Sequence, residues 1–192
     1  IGNEVNLDHP GWVPTGPYYA ANLLTPGARG VRRASREAAR NVTILLGALA
    51  PVFGLGTDPV AFLRDLYTYC GQCRGRFDVV SYHPYTTSPL TDENMKGIPD
   101  QLNAISGKQI WATEYGVPTE GEYSVSEQRQ AELVDEAHRA WFAHSYAGPM
   151  FWYSHRDRGT SPDREDHFGL LRADGSAKPA LTAYAAGEQW MV

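Results

Sequence analysis

The longest apolar stretch of the chain, VTILLGALAP at residues 42–51, contains no charged residue and ends at Pro51. Such an unbroken run is typical of a parallel strand that is covered on both faces. Other stretches of similar character predict further strands. They are IGNEVN (1–6, a strand end), FDVVSYHPY (77–85), KQIWATEYG (108–116) and GPMFWYSHRD (148–157). The pattern therefore predicts about five strands.

Segments that favour helices lie between these strands. Residues 29–40, RGVRRASREAAR, predict a helix that is basic on one side, and the simplest interpretation of its charge run is a solvated helix face. A short apolar segment from Tyr18 to Leu24 precedes it, and Pro26 and Gly27 are expected to end that segment.

Two later helices carry clear start signals. Asp58 is placed to cap the helix over residues 58–70, with Pro59 in its first turn. The strongest helical pattern covers residues 124–143, where Ser124 and Glu127 have the spacing of a capping box. Weaker patterns predict a helix over 92–105, which contains Gly97 and Pro99, and a closing helix over 179–190.

Strands that alternate with helices indicate βαβ units and a parallel α/β sheet, either an open doubly wound sheet or part of a (β/α)8 barrel. The glycine-rich phosphate loops GxGxxG and GxxxxGK[ST] are absent from the sequence. Polar residues instead follow each predicted strand, and in a barrel those ends meet at one mouth. We therefore predict a partial (β/α)8 TIM barrel of about five parallel strands, formed by residues 1–192 as a single domain.

Composition and charge narrow the possible partners. The chain has 192 residues and a net charge of −5, which gives no electrostatic support for nucleic-acid binding. No apolar run is long enough to cross a membrane, so no membrane partner is expected. Aromatic residues make up 11% of the chain, which suits a sugar-binding cleft as well as an ordinary core.

Both cysteines lie in the motif CGQC, at Cys70 and Cys73. The motif resembles the thiol redox motif of thioredoxin-type proteins, which begins a helix just after a strand. Here the motif follows a helix and precedes a strand. This position favours a local disulfide or a pair of unreactive thiols, with a CxxC thiol redox protein as an alternative function.

Two glutamates occupy predicted strand ends. Glu4 follows Asn3 in IGNEVN, and Glu114 follows an apolar run in IWATEYGVPT. A carboxylate at a buried strand end needs a structural or chemical reason to be there. Each glutamate taken alone is also compatible with a surface carboxylate or a salt-bridge partner.

These residues resemble a clan A retaining glycoside hydrolase, closest in character to family 39 and family 5-like enzymes. The resemblance rests on Asn3-Glu4, on Glu114 within WATEYG and on Phe151-Trp152 in the last strand. The stretches LLGALAP, FDVVSYHPY, IWATEYGVPT and FGLLRADGSAKPALTAY resemble strands four to eight and the closing segment of that fold.

The resemblance implies a double-displacement reaction on a β-glycosidic bond, in which Glu4 is the general acid/base and Glu114 the nucleophile. That chemistry needs two carboxyl groups about 5–5.5 Å apart. The other residues expected at the barrel mouth are substrate-binding ones, and neither a cofactor nor a metal is implied. They are Asn3 on the sugar 2-hydroxyl, His83 and Tyr85 orienting Glu114 or touching the sugar, Tyr115 beside the nucleophile, and Trp152 as a platform under the reacting sugar. Two of these have structural alternatives: His83 as a loop residue holding a backbone carbonyl, and Trp152 in barrel packing.

A whole barrel typically needs about 250 residues, and strands one to three are missing from the resemblance. Three interpretations remain open: a piece of a longer enzyme, a half-barrel completed by a homo-oligomer or by a complementing N-terminal half, and a degenerate half-barrel that binds carbohydrate without cleaving it. A microbial polysaccharide enzyme of this kind is expected outside the cell or in the cell envelope.

Overall fold

The structure, a computed structural model, describes residues 1–85 and 93–187. The chain divides into two compact units. Unit 1 comprises Ile1–His83 and Gly97–Ala112, and unit 2 comprises Pro84–Lys96 and Thr113–Val192. No helix in the described part of the chain is long and apolar enough to span a membrane.

Unit 1 begins with a nearly continuous helical segment. Helix α1 (Gly16–Tyr19) passes through a π-turn (Ala20–Leu24) into helix α2 (Thr25–Glu37). The predicted break at Pro26 and Gly27 is therefore wrong. Proline lies in the first turn of α2, where its missing N–H removes no essential bond, and the wider π-turn absorbs the change in geometry.

Two further helices complete unit 1. Helix α3 (Pro59–Tyr69) begins as predicted, because the Asp58 side chain accepts hydrogen bonds from the N–H groups of Val60 and Ala61. A 3₁₀-turn (Gly71–Gly75) follows it, and Cys70 and Cys73 form a disulfide there. Helix α4 (Ile98–Ser106) follows a π-turn (Glu93–Gly97), and the predicted start at residue 92 lies outside the described residues.

Three strands form the regular part of the sheet: β1 (Val80–Tyr82), β2 (Ile110–Tyr115) and β3 (Ala147–Trp152). β1 runs parallel to β2 with Val80 opposite Ile110, and the strand order is β1-β2-β3. The β1 side chains are all buried, as expected for a strand covered on both faces.

The predicted strand over residues 42–51 is not a continuous strand. Leu45 and Leu49 form only isolated parallel bridges, to Val79 and Tyr82. Between them the N–H of Gly47 donates to the hydroxyl of Tyr19 at 2.7 Å, so it takes no part in a ladder. The pairing shifts by one residue between the two bridges, because the Leu46 N–H donates to the Val79 carbonyl and the Leu49 N–H donates to the Ser81 carbonyl.

The opening stretch is a turn beside residues 45–48 rather than a strand end. The amino group of Ile1 donates to the Leu45 carbonyl at 2.8 Å, and the N–H of Val5 donates to the Ala48 carbonyl at 3.0 Å. Backbone bonds thus hold both ends of the stretch that contains Glu4, although its backbone is irregular.

Unit 2 is built around helix α5 (Glu127–Phe142) and the short helix α6 (Pro179–Ala185). The side chain of Ser126 caps α5 by accepting from the Arg129 N–H, so the predicted cap at Ser124 is wrong by two residues. The apolar stripe of α5 is buried as predicted. It contributes Val134, Ala137 and Trp141 to the core, each with no exposed surface. The last residues of the predicted closing helix, 188–190, lie outside the described residues.

We expect Gly116→Ala to destabilise the protein by at least about 2 kcal/mol, because overpacking against rigid atoms has few ways to relax. A Cβ at Gly116 would lie 1.9 Å from the carbonyl oxygen of Tyr153. The matched control is Gly30→Ala in α2, where nothing lies within 4 Å and helix propensity predicts a gain of about 0.5–1 kcal/mol. Urea unfolding of both variants measures the two effects, and equal midpoints would contradict the packing at Gly116.

Candidate functional site

Glu4 in unit 1 occupies a strained and well-held position. Its φ is +43°, in the left-handed region that residues with a side chain disfavour by roughly 1–2 kcal/mol. The Leu7 N–H closes the turn onto the Glu4 carbonyl at 2.9 Å, and the Trp12 indole donates to the neighbouring Val5 carbonyl at 2.8 Å. Backbone strain that its surroundings hold in place is typical of functional positions.

The side chain of Glu4 contacts His83, which directly follows β1. The Nδ1 atom of His83 lies 3.1 Å from Oε1 of Glu4, and the imidazole is buried, with 1% of its side chain exposed. His83 therefore contacts the first glutamate within unit 1, whereas the sequence suggested a role beside Glu114 or on the sugar. The contact joins residues far apart in the chain, and no local pattern announces it.

The second carboxylate oxygen of Glu4, Oε2, has no hydrogen-bond partner among the described residues, and 23% of the side chain is exposed. Asn3 beside it is exposed, and its side chain makes no hydrogen bond within the described part of the chain. Glu4 and Asn3 thus keep polar atoms available to a ligand.

Asn6 anchors this turn and was missed by the sequence analysis. Its buried amide accepts from the Ala50 N–H at 2.9 Å and donates to the carbonyls of Ala50 and Thr57, both at 2.8 Å. These three bonds fix the end of the 42–51 segment beside the turn that carries Glu4. The sequence feature that could have identified Asn6 is its position, two residues after the candidate Glu4.

Glu114 in unit 2 is the penultimate residue of β2 and is half-buried. The hydroxyl of Tyr85 donates to its Oε2 at 3.2 Å. The Asn94 amide in turn donates to the Tyr85 carbonyl at 2.6 Å, which holds the backbone that carries the phenol. The two hydrogen bonds hold the Glu114 carboxylate in place at the end of β2, and a carboxylate positioned in this way suits a role as a nucleophile.

Aromatic rings surround the phenol of Tyr85. Tyr153 packs against it edge to face with centroids 6.4 Å apart, and Phe168 does so at 6.2 Å. The guanidinium of Arg158 lies 5.5 Å above the Tyr153 ring. The sequence analysis selected Trp152 and missed Tyr153, although both aromatic residues stand at the end of the last predicted strand.

Two predicted substrate-binding residues pack against neighbouring residues. Tyr115 is fully buried, and its hydroxyl has no hydrogen-bond partner among the described residues; burial raises the pKa of this phenol above its usual value. Trp152 donates from Nε1 to the Phe168 carbonyl at 3.1 Å and packs against the core of unit 2. These contacts agree with the packing alternative, and Trp152 as a sugar platform stays a prediction, since part of the side chain is exposed.

The charged loop HRDRGTSPDRED, residues 155–166, is held by a buried ion pair between its Asp157 and Lys178. Lys178 and Asp157 are 2% and 7% exposed, and the Lys178 Nζ lies 2.8 Å from Oδ2 of Asp157. Nζ also donates to the Thr119 hydroxyl at 2.9 Å and to the His167 carbonyl at 3.2 Å. The Gly169 N–H also donates a hydrogen bond to Oδ1 of Asp157 at 2.7 Å. This network fixes the loop that follows β3.

Comparison with known proteins identifies the relationship. The sequence profile of a family described as glycosyl hydrolase catalytic core matches residues 29–184. Among curated proteins, none matches the chain in sequence.

Several solved structures share the fold. A family 39 glycoside hydrolase from the gut symbiont Bacteroides cellulosilyticus WH2 is 21% identical with a TM-score of 0.54, over 83% of this chain and 43% of its own. A monomeric beta-xylosidase from Caulobacter crescentus CB15 is 19% identical with a TM-score of 0.67, over 96% of this chain and 40% of its own. A family 17 beta-1,3-glucanosyltransferase from Rhizomucor miehei is 21% identical with a TM-score of 0.53, over 83% of this chain and 56% of its own. The predicted fold class, part of a (β/α)8 barrel, is thereby confirmed, and the chain spans about half the length of these structures or less.

Proposed function

Since the chain belongs to the glycosyl hydrolase catalytic core family, we propose that it carries both catalytic carboxylates of a retaining enzyme that cleaves β-glycosidic bonds in an oligo- or polysaccharide. The observation that carries this proposal is the Tyr85 hydroxyl bonded to Glu114 at the end of β2. Catalytic carboxylates of (β/α)8 enzymes lie at strand ends of this kind.

In the first step, a carboxylate oxygen of Glu114 attacks the anomeric carbon while Glu4 donates its proton to the departing glycosidic oxygen. A covalent glycosyl-enzyme forms and the glycosidic bond breaks. In the second step, Glu4 takes a proton from water as the water oxygen attacks the same carbon, and the bond to Glu114 breaks. His83 holds one oxygen of Glu4, which leaves the other for this proton transfer.

We expect Tyr85→Phe to lower kcat/KM by about 10- to 100-fold, because a hydrogen bond to a charged group contributes about 1.5–3 kcal/mol. The ring contacts with Tyr153 and Phe168 remain in this variant, so its unfolding midpoint should match that of the parent protein. Steady-state kinetics with an aryl β-glycoside measures the effect. Unchanged kinetics in Tyr85→Phe would remove this residue from the proposed site.

A second candidate function is carbohydrate binding without cleavage. The observation that favours it is that the chain spans only part of the solved enzymes, 43% of the family 39 glycoside hydrolase and 40% of the beta-xylosidase. We propose activity for the assembled barrel, with the first three strands on the same polypeptide or supplied by a second copy or a complementing half. Saccharide binding by that assembly with no cleavage of any β-linked substrate would favour the binding function.

We also propose an extracellular or cell-envelope location for this protein. The Cys70–Cys73 disulfide is compatible with it, since such bonds persist in oxidising compartments.

The test of the proposed function uses the assembled protein and a panel of aryl β-glycosides. Glu4→Ala removes the general acid/base, and added azide then takes the place of the activated water in the second step. We expect restored turnover and a β-glycosyl azide as product, because azide attacks the glycosyl-enzyme from the face opposite Glu114. If azide gives no rescue in Glu4→Ala while the parent cleaves the same substrate, the assignment of Glu4 is wrong.

A further inference from the structure

An open pocket of about 240 Å³ in unit 1 is lined by six residues, four of which are arginines. Three of its side chains, Arg29, Arg32 and Arg36, come from α2 at the spacing that places residues on one helix face. Arg76 follows the 3₁₀-turn opposite them, and Ala28 and Gly75 complete the lining. None of these residues belongs to the candidate carboxylate site.

Only one of the four guanidinium groups is neutralised within the described residues. Arg32 bonds Asp78 at 2.5 Å and also donates to the Val42 carbonyl. Burial favours a raised pKa for Asp78, but the Ile44 N–H and Arg32 outweigh it and hold that pKa below its usual value. The guanidinium groups of Arg29, Arg36 and Arg76 have no hydrogen-bond acceptor or ion-pair partner in the described part of the chain.

We propose that this arginine pocket binds a tetrahedral oxyanion, a sulfate or phosphate group. Guanidinium groups present planar pairs of N–H donors that match such oxygens, and a cluster of them gives charge complementarity that a neutral ligand would not use. The volume is below that of sites for drug-sized ligands, which suits one substituent or ion. In a chain of net charge −5, this local excess of positive charge is not a property of the whole surface.

The same chemistry is available from a free ion and from a sulfate ester on a polysaccharide. The proposal does not depend on the hydrolase function, because it concerns binding alone. Titration with sodium sulfate and sodium phosphate at constant ionic strength tests the free ion, and dextran sulfate against neutral dextran tests the polymer. Binding of the free ions alone assigns a free oxyanion, whereas binding of dextran sulfate as well assigns a polymer-borne ester.

Variants with equal charge changes separate this pocket from general attraction. Arg29→Gln/Arg36→Gln should weaken sulfate binding at least about tenfold by calorimetry, since two charge-assisted contacts are lost. The matched control Arg33→Gln/Arg40→Gln changes two arginines of the same segment that do not line the pocket, and should bind like the parent. Equal affinities in the two double variants, or no saturable binding by the parent, would overturn the proposal.

A third variant adds a negative charge to the pocket without removing an arginine. A Cβ at Gly75 would meet nothing within 4 Å, so Gly75→Glu adds a carboxylate to the lining as an internal competitor. We expect it to abolish sulfate binding, while Gly75→Gln, of nearly the same size but neutral, retains most of it. Retention of parent affinity in Gly75→Glu would contradict the assigned location.

Discussion

Glu114→Gln is expected to lower kcat/KM by more than about 10⁴-fold, beyond the usual contribution of a general acid or base. The amide has nearly the same size and shape as the carboxylate, so the contact with Tyr85 and the fold should persist. What the variant loses is the negative oxygen that forms the bond to the anomeric carbon. Kinetics with an activated aryl β-glycoside, for which leaving-group protonation matters little, isolates this step.

The control for this prediction is Glu122→Gln, which removes an exposed carboxylate from the same unit and should leave kcat/KM within about twofold of the parent. A second readout is the product of Glu114→Ala with azide. Here azide replaces the nucleophile and should give an α-glycosyl azide, the opposite anomer from that expected of Glu4→Ala. If Glu114→Gln kept the activity of the parent, Glu114 would not be the nucleophile. If both alanine variants gave the same anomer, the roles assigned to Glu4 and Glu114 would be wrong.

Lys178→Met is expected to lower the free energy of unfolding by about 3–5 kcal/mol, the range for breaking one side of a buried ion pair. Methionine preserves the apolar length of the side chain, but it leaves the Asp157 carboxylate, which is 7% exposed, with only the Gly169 N–H as a partner among the described residues. Thr119 and the His167 carbonyl lose a donor as well. Urea unfolding followed by circular dichroism measures the loss.

Two control variants show whether the destabilisation of Lys178→Met comes from breaking a buried ion pair. Asp157→Asn/Lys178→Met removes both charges and should be less destabilised than Lys178→Met, because no uncompensated charge stays buried. Arg139→Met breaks the exposed pair with Asp135, which is typical of surface pairs that contribute less than about 1 kcal/mol. If Lys178→Met were no more destabilised than Arg139→Met, Lys178 would not be the buried partner that the structure describes.

The elements that sequence patterns predicted well are those whose signals are local. Asp58 and Pro59 mark the start of α3 because both act on the first turn of their own helix. The spacing of Val134, Ala137 and Trp141 predicts the buried face of α5 for the same reason. Successive side chains of β2 point to opposite faces, so Glu114 lies on the same face as the buried Ile110 and Ala112. This explains why the Glu114 side chain is only half exposed.

The errors arise where distant residues change a local preference. The 42–51 segment favours a continuous strand, but its register against residues 79–82 shifts by one residue between Leu45 and Leu49. Pro26 favours a break, but the preceding π-turn lets the helix continue. The contact of His83 with Glu4 was equally invisible, since it links residues 79 positions apart.

The central claim is that this chain supplies a nucleophile and an acid/base to a retaining glycosidase. The measurement that tests it most directly is proton NMR of the sugar released from a β-glycoside, recorded before mutarotation mixes the anomers. Double displacement through Glu114 predicts that the β-anomer appears first and the α-anomer grows only later. First release of the α-anomer would mean a single displacement by water, and would contradict the assignment of Glu114 as the nucleophile.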